Sequence, residues 1–247
     1  MFEFMNRKTV KTTASTRRAW LCESAAAGWA LGAFATEAMA AQPQALGEQS
    51  TEPFQTPPVT PDEALAALYA GNRRFVDGKS LAAHRDIERV KAIAPKQTPF
   101  AAFLGCADSR VPIEMVFDQG FGDLFVTRIA GNVATSENVG SLEFGTLLLG
   151  AKVLFVLGHT SCGAVAAALQ GTEVPGQISG LFQHIRPAVR VAKRNLDIAV
   201  EANVRNQAQV LAESSPVIAR LVRDGKLKVA GGVYDLASGI VKPIALE

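Results

Sequence analysis

Cysteine and histidine are both scarce in this chain, which has three of each in 247 residues. That excludes a dense disulfide framework. A chain of this length does not need one, since it can bury about 70% of the surface its unfolded form exposes. Charge is nearly balanced, at a formal +2, and no run of Lys and Arg is interleaved with aromatics. Nucleic acid is therefore not an expected partner. Long apolar runs are missing too. The Ala-rich stretch from Ala25 to Ala35 is too short to span a bilayer and is flanked by Glu23 and Glu37, so stable membrane insertion is not expected. There is no internal repeat. With 48% hydrophobic and 19% charged residues, what is left is a globular protein of one domain carrying an extra segment.

The extra segment is N-terminal. Arg7, Lys8 and Lys11 precede "STRRAWL", which holds Arg17 and Arg18; the Ala-rich stretch follows, and the segment closes on "AMA" before Ala41. A basic start, a weakly apolar middle and a small-x-small end make residues 1–40 a signal peptide. Paired arginines after Ser15 and Thr16 resemble a twin-arginine export signal, so the expected location is periplasmic or secreted. Cleavage after Ala40 would remove five basic and three acidic residues, taking the net charge from +2 to zero, and would leave Cys106 and Cys162 as the remaining cysteines. Residues 41–60, rich in Pro, Gln, Thr and Glu, read as a linker, and residues 61–247 as the folded domain.

The domain opens with helix signals. Thr60 can cap, Pro61 suits the first helical position, Glu63 completes a capping box, and Leu65, Leu68, Tyr69 and Phe75 recur at helical spacing. Short apolar runs then alternate with helical stretches. "FAAFLG" (100–105), "DLFVTRI" (123–129), "KVLFVLG" (152–158) and "LKVAGGVYD" (227–235) read as strands, with a fifth at 239–244. Helices are expected over 136–150 with Ser136 as cap, over 181–194 and over 197–214. Continuous apolar strands separated by helices predict an α/β fold, a parallel-sheet core flanked by helices.

The first of these strands ends at Cys106 and the third at His159. Ligand sites in open parallel sheets lie just beyond the carboxyl ends of strands, so the two could face one crevice. Cys162 follows His159 by three positions at a strand-to-helix turn, where Gly158 and Gly163 leave room for tight backbone turns. Two thiolates and an imidazole form a soft donor set suited to zinc with one open coordination position. The same residues are open to blander readings: a Cys106–Cys162 disulfide, which export would allow, an inert thiol, or a structural histidine. Asp108 and Arg110, in "CADSR", offer a carboxylate–guanidinium pair beside Cys106, which a disulfide does not require. Asp108 could also cap the turn before "SRVPIEMVF".

"CADSR" with "HTSCGA" far downstream resembles the β-class carbonic anhydrases. The likeness continues through "DLFVTRIAGN", "SLEFG", "VLFVLGHTSCGAV" and "GGVYDLASG", covering most of Pro61 to Lys242. The resemblance implies zinc held by Cys106, His159 and Cys162, an Asp108–Arg110 dyad, and reversible hydration of carbon dioxide to bicarbonate and a proton by zinc-bound hydroxide. Zinc lowers the pKa of bound water, an effect for which the three-histidine carbonic anhydrases are the type example. Two thiolates donate more charge than three imidazoles, so water here should be harder to ionise. Asp108 would compensate by accepting a hydrogen bond from the hydroxide, and Arg110 would keep Asp108 ionised and off the metal.

The resemblance also implies a homodimer or larger homo-oligomer, with the N-terminal helix embracing a neighbour. Phe125 and Phe144 would line an apolar substrate pocket, and Gln97 would reach in from the partner to a substrate oxygen. His84 and His184 are candidates for proton relay, with solvated or structural roles weighed against that. Some members have a closed form supported by a bicarbonate pocket of Trp, Arg and Tyr. Those positions are Phe103, Arg128 and Tyr234 here, and Phe lacks the indole donor. That departure predicts an open site in which Asp108 faces Arg110. Two alternative functions stand beside this one: hydrolysis of carbon disulfide or carbonyl sulfide on the same zinc scaffold, and a non-catalytic exported module stapled by a Cys106–Cys162 disulfide.

Overall fold

The computed structural model describes Pro58 and residues 60–246, so the expected signal peptide and most of the expected linker lie outside the described residues. Helix α1 (Pro61–Val76) begins with the expected capping box. Thr60 Oγ1 accepts from the Glu63 N–H, and the Glu63 carboxylate accepts from the Thr60 N–H. Its apolar stripe covers this chain's own sheet: Ala64 and Leu68 are fully buried, and Tyr69 meets Phe155 edge-on with ring centroids 6.1 Å apart. Asn72 clasps the helix in place. Its Nδ2 donates to Val116 O at 3.0 Å and Gly239 O at 2.9 Å, and its Oδ1 accepts from the Val241 N–H at 2.9 Å.

Five strands form one sheet in the order β2-β1-β3-β4-β5. β1 (Ala101–Gly105), β2 (Leu124–Arg128), β3 (Val153–His159) and β4 (Lys228–Tyr234) run parallel, as the unbroken apolar runs predict. β5 (Val241–Ile244) is antiparallel to β4. The connection before it closes on itself, with Gly239 N–H donating to Asp235 O and Asp235 N–H to Ile240 O, and is too short to hold a crossover helix.

Alternation along the strands divides the core in two. Ala102, Leu104, Leu154 and Val156 point to the face covered by α4 (Ser136–Glu143), α5 (Gly163–Gln170), α6 (Ile178–Val191), α7 (Leu196–Ser214) and α8 (Pro216–Arg223). Phe103, Phe155 and Leu157 point to the other, beneath α1 and α3 (Ile113–Val116). Phe103 lies between two rings there, 5.3 Å from Phe155 and 5.1 Å from Phe117.

The expected 136–150 helix has two parts. Thr135, not Ser136, caps α4, and the chain continues from Phe144 to Leu148 as a π-helical turn. Thr146 Oγ1 donates to Leu142 O there, at 2.8 Å. A short helix α2 (Ile87–Ile93), capped by Asp86, had no counterpart in the sequence reading. Among the described residues no helix is long and apolar enough to cross a membrane.

Candidate metal centre

Cys106 is the first residue beyond β1. Arg128, at the end of β2, holds the chain as it leaves the sheet: its Nε donates to Cys106 O at 2.9 Å and its Nη2 to Asp108 O at 2.6 Å. His159 is the last residue of β3 and Cys162 is the N-cap of α5. Between them Ser161 takes φ +55°, a left-handed conformation that costs an L-residue roughly 1–2 kcal/mol. The turn is therefore made at Ser161, not at the two glycines expected to make it. Gly158 has a different task, because a Cβ there would lie 2.6 Å from Val204 Cγ2. Glycine lets α7 approach the strand that delivers His159.

The three donor atoms lie within 4.8 Å of one another, and all three residues are buried. His159 Nδ1 is 2.9 Å from Thr160 O, a contact that requires the hydrogen on Nδ1. The lone pair is then on Nε2, which is buried and has no hydrogen-bond partner. An orphaned acceptor of this kind is costly, and a bound cation would satisfy it. Both cysteines are free thiols, so the disulfide-stapled alternative is not supported. The two titrate as a pair. The Cys106 pKa falls, mainly because the Cys162 thiol donates to its sulfur, with the Gly131 N–H adding to this. The Cys162 pKa rises because its proton is held by the Cys106 sulfur and by burial. A dication bound between the sulfurs would displace that remaining proton. The residues present thus fit zinc, with two soft sulfurs and one oriented imidazole nitrogen.

Asp108 stands beside this set with its carboxylate gripped by Arg110. Nε donates to Oδ1 at 2.9 Å, Nη2 to Oδ2 at 2.8 Å, and the Arg110 backbone N–H to Oδ1 at 2.9 Å. The guanidinium bonds hold the Asp108 carboxyl well below the usual carboxylate range. Asp108 Oδ2 is 3.8 Å from His159 Nε2, close to the donors but beyond hydrogen-bonding distance.

The remaining expected residues fall elsewhere in this chain. Phe125 is in register with Ala102, four residues before Cys106, which is about 13 Å along the strand. Phe144 packs near it, with centroids 6.3 Å apart. Gln97 lines a cavity of about 510 Å³ with Leu148 and Leu149, ahead of β1. His84 Nδ1 contacts the Asp123 carboxylate at 2.8 Å, where β2 begins, at the far end of the sheet from Cys106. His184 lies on α6 with Nε2 3.3 Å from Gln183 Nε2, and its carbonyl accepts from Gln207. Phe103 and Tyr234 belong to the buried cluster beneath α1, and Arg128 is committed to the two carbonyls named above.

Two groups at the site escaped the sequence reading: the Thr160 carbonyl that orients His159, and the Gly131 N–H that donates to Cys106 Sγ at 3.3 Å. Both are backbone groups, which composition cannot flag, although Gly131 lies inside the quoted "RIAGN".

A carbonic anhydrase family model matches residues 101–241, a span that holds all five converging residues. The chain belongs to the β-class carbonic anhydrases. Carbonic anhydrase 2 of Mycobacterium tuberculosis is 36% identical over 191 residues, covering 74% of this chain and 92% of that protein. A carbonic anhydrase of Mycolicibacterium smegmatis is 37% identical over 194 residues, covering 75% and 94%. Among solved structures, the Coccomyxa β-carbonic anhydrase in complex with acetazolamide superposes with a TM-score of 0.57 at 28% identity, covering 72% of this chain and 85% of that one. An Aspergillus fumigatus β-carbonic anhydrase gives 0.60 at 26% identity, covering 73% and 90%.

Proposed function

We propose that this chain catalyses the zinc-dependent, reversible hydration of carbon dioxide to bicarbonate and a proton. The observation that carries the reading is the convergence of Cys106, His159 and Cys162 beside the Asp108–Arg110 pair. Cys106, Cys162 and His159 Nε2 would hold the metal. Zinc, when bound, supplies Lewis acidity that makes hydroxide available near neutral pH.

The rest belongs to the protein. Arg110 keeps Asp108 ionised and restrains both carboxylate oxygens from swinging onto the metal. Asp108 can then accept a hydrogen bond from the attacking hydroxyl and orient its lone pair toward the carbon. Thr160 O fixes the His159 ring, and Arg128 fixes the backbone between Cys106 and Asp108. Hydrolysis of carbon disulfide or carbonyl sulfide is not supported, since the relatives at 36% and 37% identity are carbonic anhydrases.

A homo-oligomer is part of the proposal. Phe144, Leu147 and Leu148 are exposed on the side of the edge strand β2, Leu148 by 67%, and Gln97 lines the cavity beside them. These groups are remote from their own chain's donors, so a role at a substrate pocket requires a second copy to present them. Two β-carbonic anhydrases of Sordaria macrospora with this fold are tetrameric. Export through the twin-arginine route, with cleavage after Ala40, is proposed from the N-terminal signals. It would let zinc load before the thiols meet an oxidising compartment.

Stopped-flow hydration of carbon dioxide with a pH indicator tests the activity. The expected result is acceleration over buffer that chelation abolishes and zinc restores. A fully zinc-loaded protein with no acceleration would contradict the proposal.

A further inference from the structure

Two polar side chains lie deep among apolar ones on α7. Asn203 and Gln207, one helical turn apart, are each 1% exposed on the face covered by α4 to α8. Buried amides are costly unless their donors and acceptors are used. Here the uses lead to the metal centre. Asn203 Nδ2 donates to Gly131 O at 2.8 Å, and Gln207 Oε1 accepts from the Ala134 N–H at 2.8 Å. Gln207 Nε2 donates to Asn203 Oδ1 at 3.1 Å and to His184 O at 3.0 Å. The pair therefore holds both ends of segment 131–134. At one end of that segment the Gly131 N–H donates to the Cys106 sulfur at 3.3 Å. Gly131 has φ +76°, and a Cβ there would lie 2.9 Å from Ile185 Cδ1. The residue is bonded through its N–H to the sulfur and through its carbonyl to Asn203, and Ile185 of α6 leaves no space for a side chain there.

We propose that Asn203 and Gln207 are positioning residues for the Cys106 ligand, fixing the backbone at Gly131 so that its N–H stays on the sulfur. This rests on the reading of Cys106 as a zinc ligand. A thiolate that accepts an N–H keeps a set orientation and passes less charge to a metal it binds. In a ligand set with two thiolates, that withdrawal opposes the excess of donated charge. The same helix reaches the other half of the set, because Val204 and Val200 pack on Gly158 immediately before His159. α7 thus supports two ligands that are distant in sequence, one by apolar contact and one by hydrogen bonds.

The test compares three variants of the whole protein. Asn203→Ala removes the donor to Gly131 O. Gln207→Glu keeps the acceptor for Ala134 and loses both donated bonds. Leu211→Ala opens a cavity one turn further along α7, at a fully buried residue that makes none of these bonds. Zinc affinity is read by chelator competition, the sulfur-to-metal charge-transfer band by cobalt substitution, and stability by urea unfolding. Asn203→Ala and Gln207→Glu should weaken zinc binding by about 10–100-fold and shift the band. Leu211→Ala should lower stability and leave zinc affinity and the band near wild type.

Wild-type affinity and band in both polar variants would overturn the proposal. So would Leu211→Ala moving both readouts as far, since the amides would then be ordinary fold supports. If neither polar variant folds, NMR of the wild type loaded with a spin-active cadmium isotope decides. Coupling between the Gly131 amide proton and the metal supports the proposal, and its absence overturns it. A wild type that binds no metal would remove the zinc-ligand reading itself, whereas a metal-bound wild type with unaffected variants would remove this inference alone.

Discussion

The two faces of the sheet are ordered by different means. Beneath α1 and α3 the core is a cluster of rings, Phe103, Phe117 and Phe155, with Leu68 and Leu157 around them. Beneath α4 to α8 the packing is aliphatic and is interrupted by polar groups: Cys106 just beyond β1, Cys162 at the start of α5, and Asn203 and Gln207 on α7. Neighbouring residues of one strand serve the two faces, Phe103 one and Leu104 the other. The difference separates two tasks. One face contributes mainly apolar burial, with the Asn72 clasp as its directional element, and the other holds Cys106 through hydrogen bonds that specify distance and angle.

That separation is tested most severely at the donors. Cys106→Ser, His159→Ala and Cys162→Ser should each remove most bound zinc and reduce hydration to near background. Metal analysis with stopped-flow kinetics checks this, and full zinc occupancy in all three would contradict the assignment. The ring face should answer in the opposite way. Phe155→Ala should cost about 3–5 kcal/mol of stability and lower Tm by about 10 °C, while the folded protein keeps its zinc. Zinc loss well below the melting transition would break the separation.

The dyad should respond with the metal retained. Asp108→Asn should keep zinc and slow hydration by about 100-fold, roughly 2.7 kcal/mol of barrier. Wild-type rates would leave Asp108 a structural group.

A smaller effect concerns pH. The Arg110 bonds depress the folded Asp108 pKa, so their stabilisation is fully present above the ordinary carboxylate pKa of about 4 and is lost as pH falls below it. The stability difference between wild type and Arg110→Ala should therefore be constant from pH 7 to 5 and shrink below about 4. It will be modest, because the Arg110 side chain is 56% exposed. Shrinkage already between pH 7 and 5 would contradict the assignment. The smallest expected effect is an absence: bicarbonate should act as product, without allosteric inhibition. The ring of Phe103 is fully buried between Phe117 and Phe155 and offers no donor. Cooperative loss of hydration on adding bicarbonate would contradict this.

Much of this was legible in the sequence because it depends on local pattern. Apolar runs marked all four parallel strands, although edge strand β2 also carries Thr127 and Arg128, and Thr60 with Glu63 marked the start of α1. Cys106 and His159 were legible as residues at the ends of two strands and Cys162 as the next donor along the turn, while their joint role as ligands came from the family likeness. The direction of β5 was not, since the pattern of a strand carries no sign. The left-handed Ser161 was hidden because nothing in its side chain requires that conformation. Asn203 and Gln207 looked like ordinary helix residues, because their burial depends on where α7 lies across the sheet. Gln97, Phe125 and Phe144 were identified by family likeness, and a single chain does not bring them to the donors.

X-ray absorption at the zinc edge of the purified wild-type protein tests the central claim most directly. Two sulfur neighbours at about 2.3 Å, one imidazole nitrogen at about 2.0–2.1 Å and one further light atom are predicted. A shell without two sulfurs, or a folded and active protein without zinc, would contradict the account.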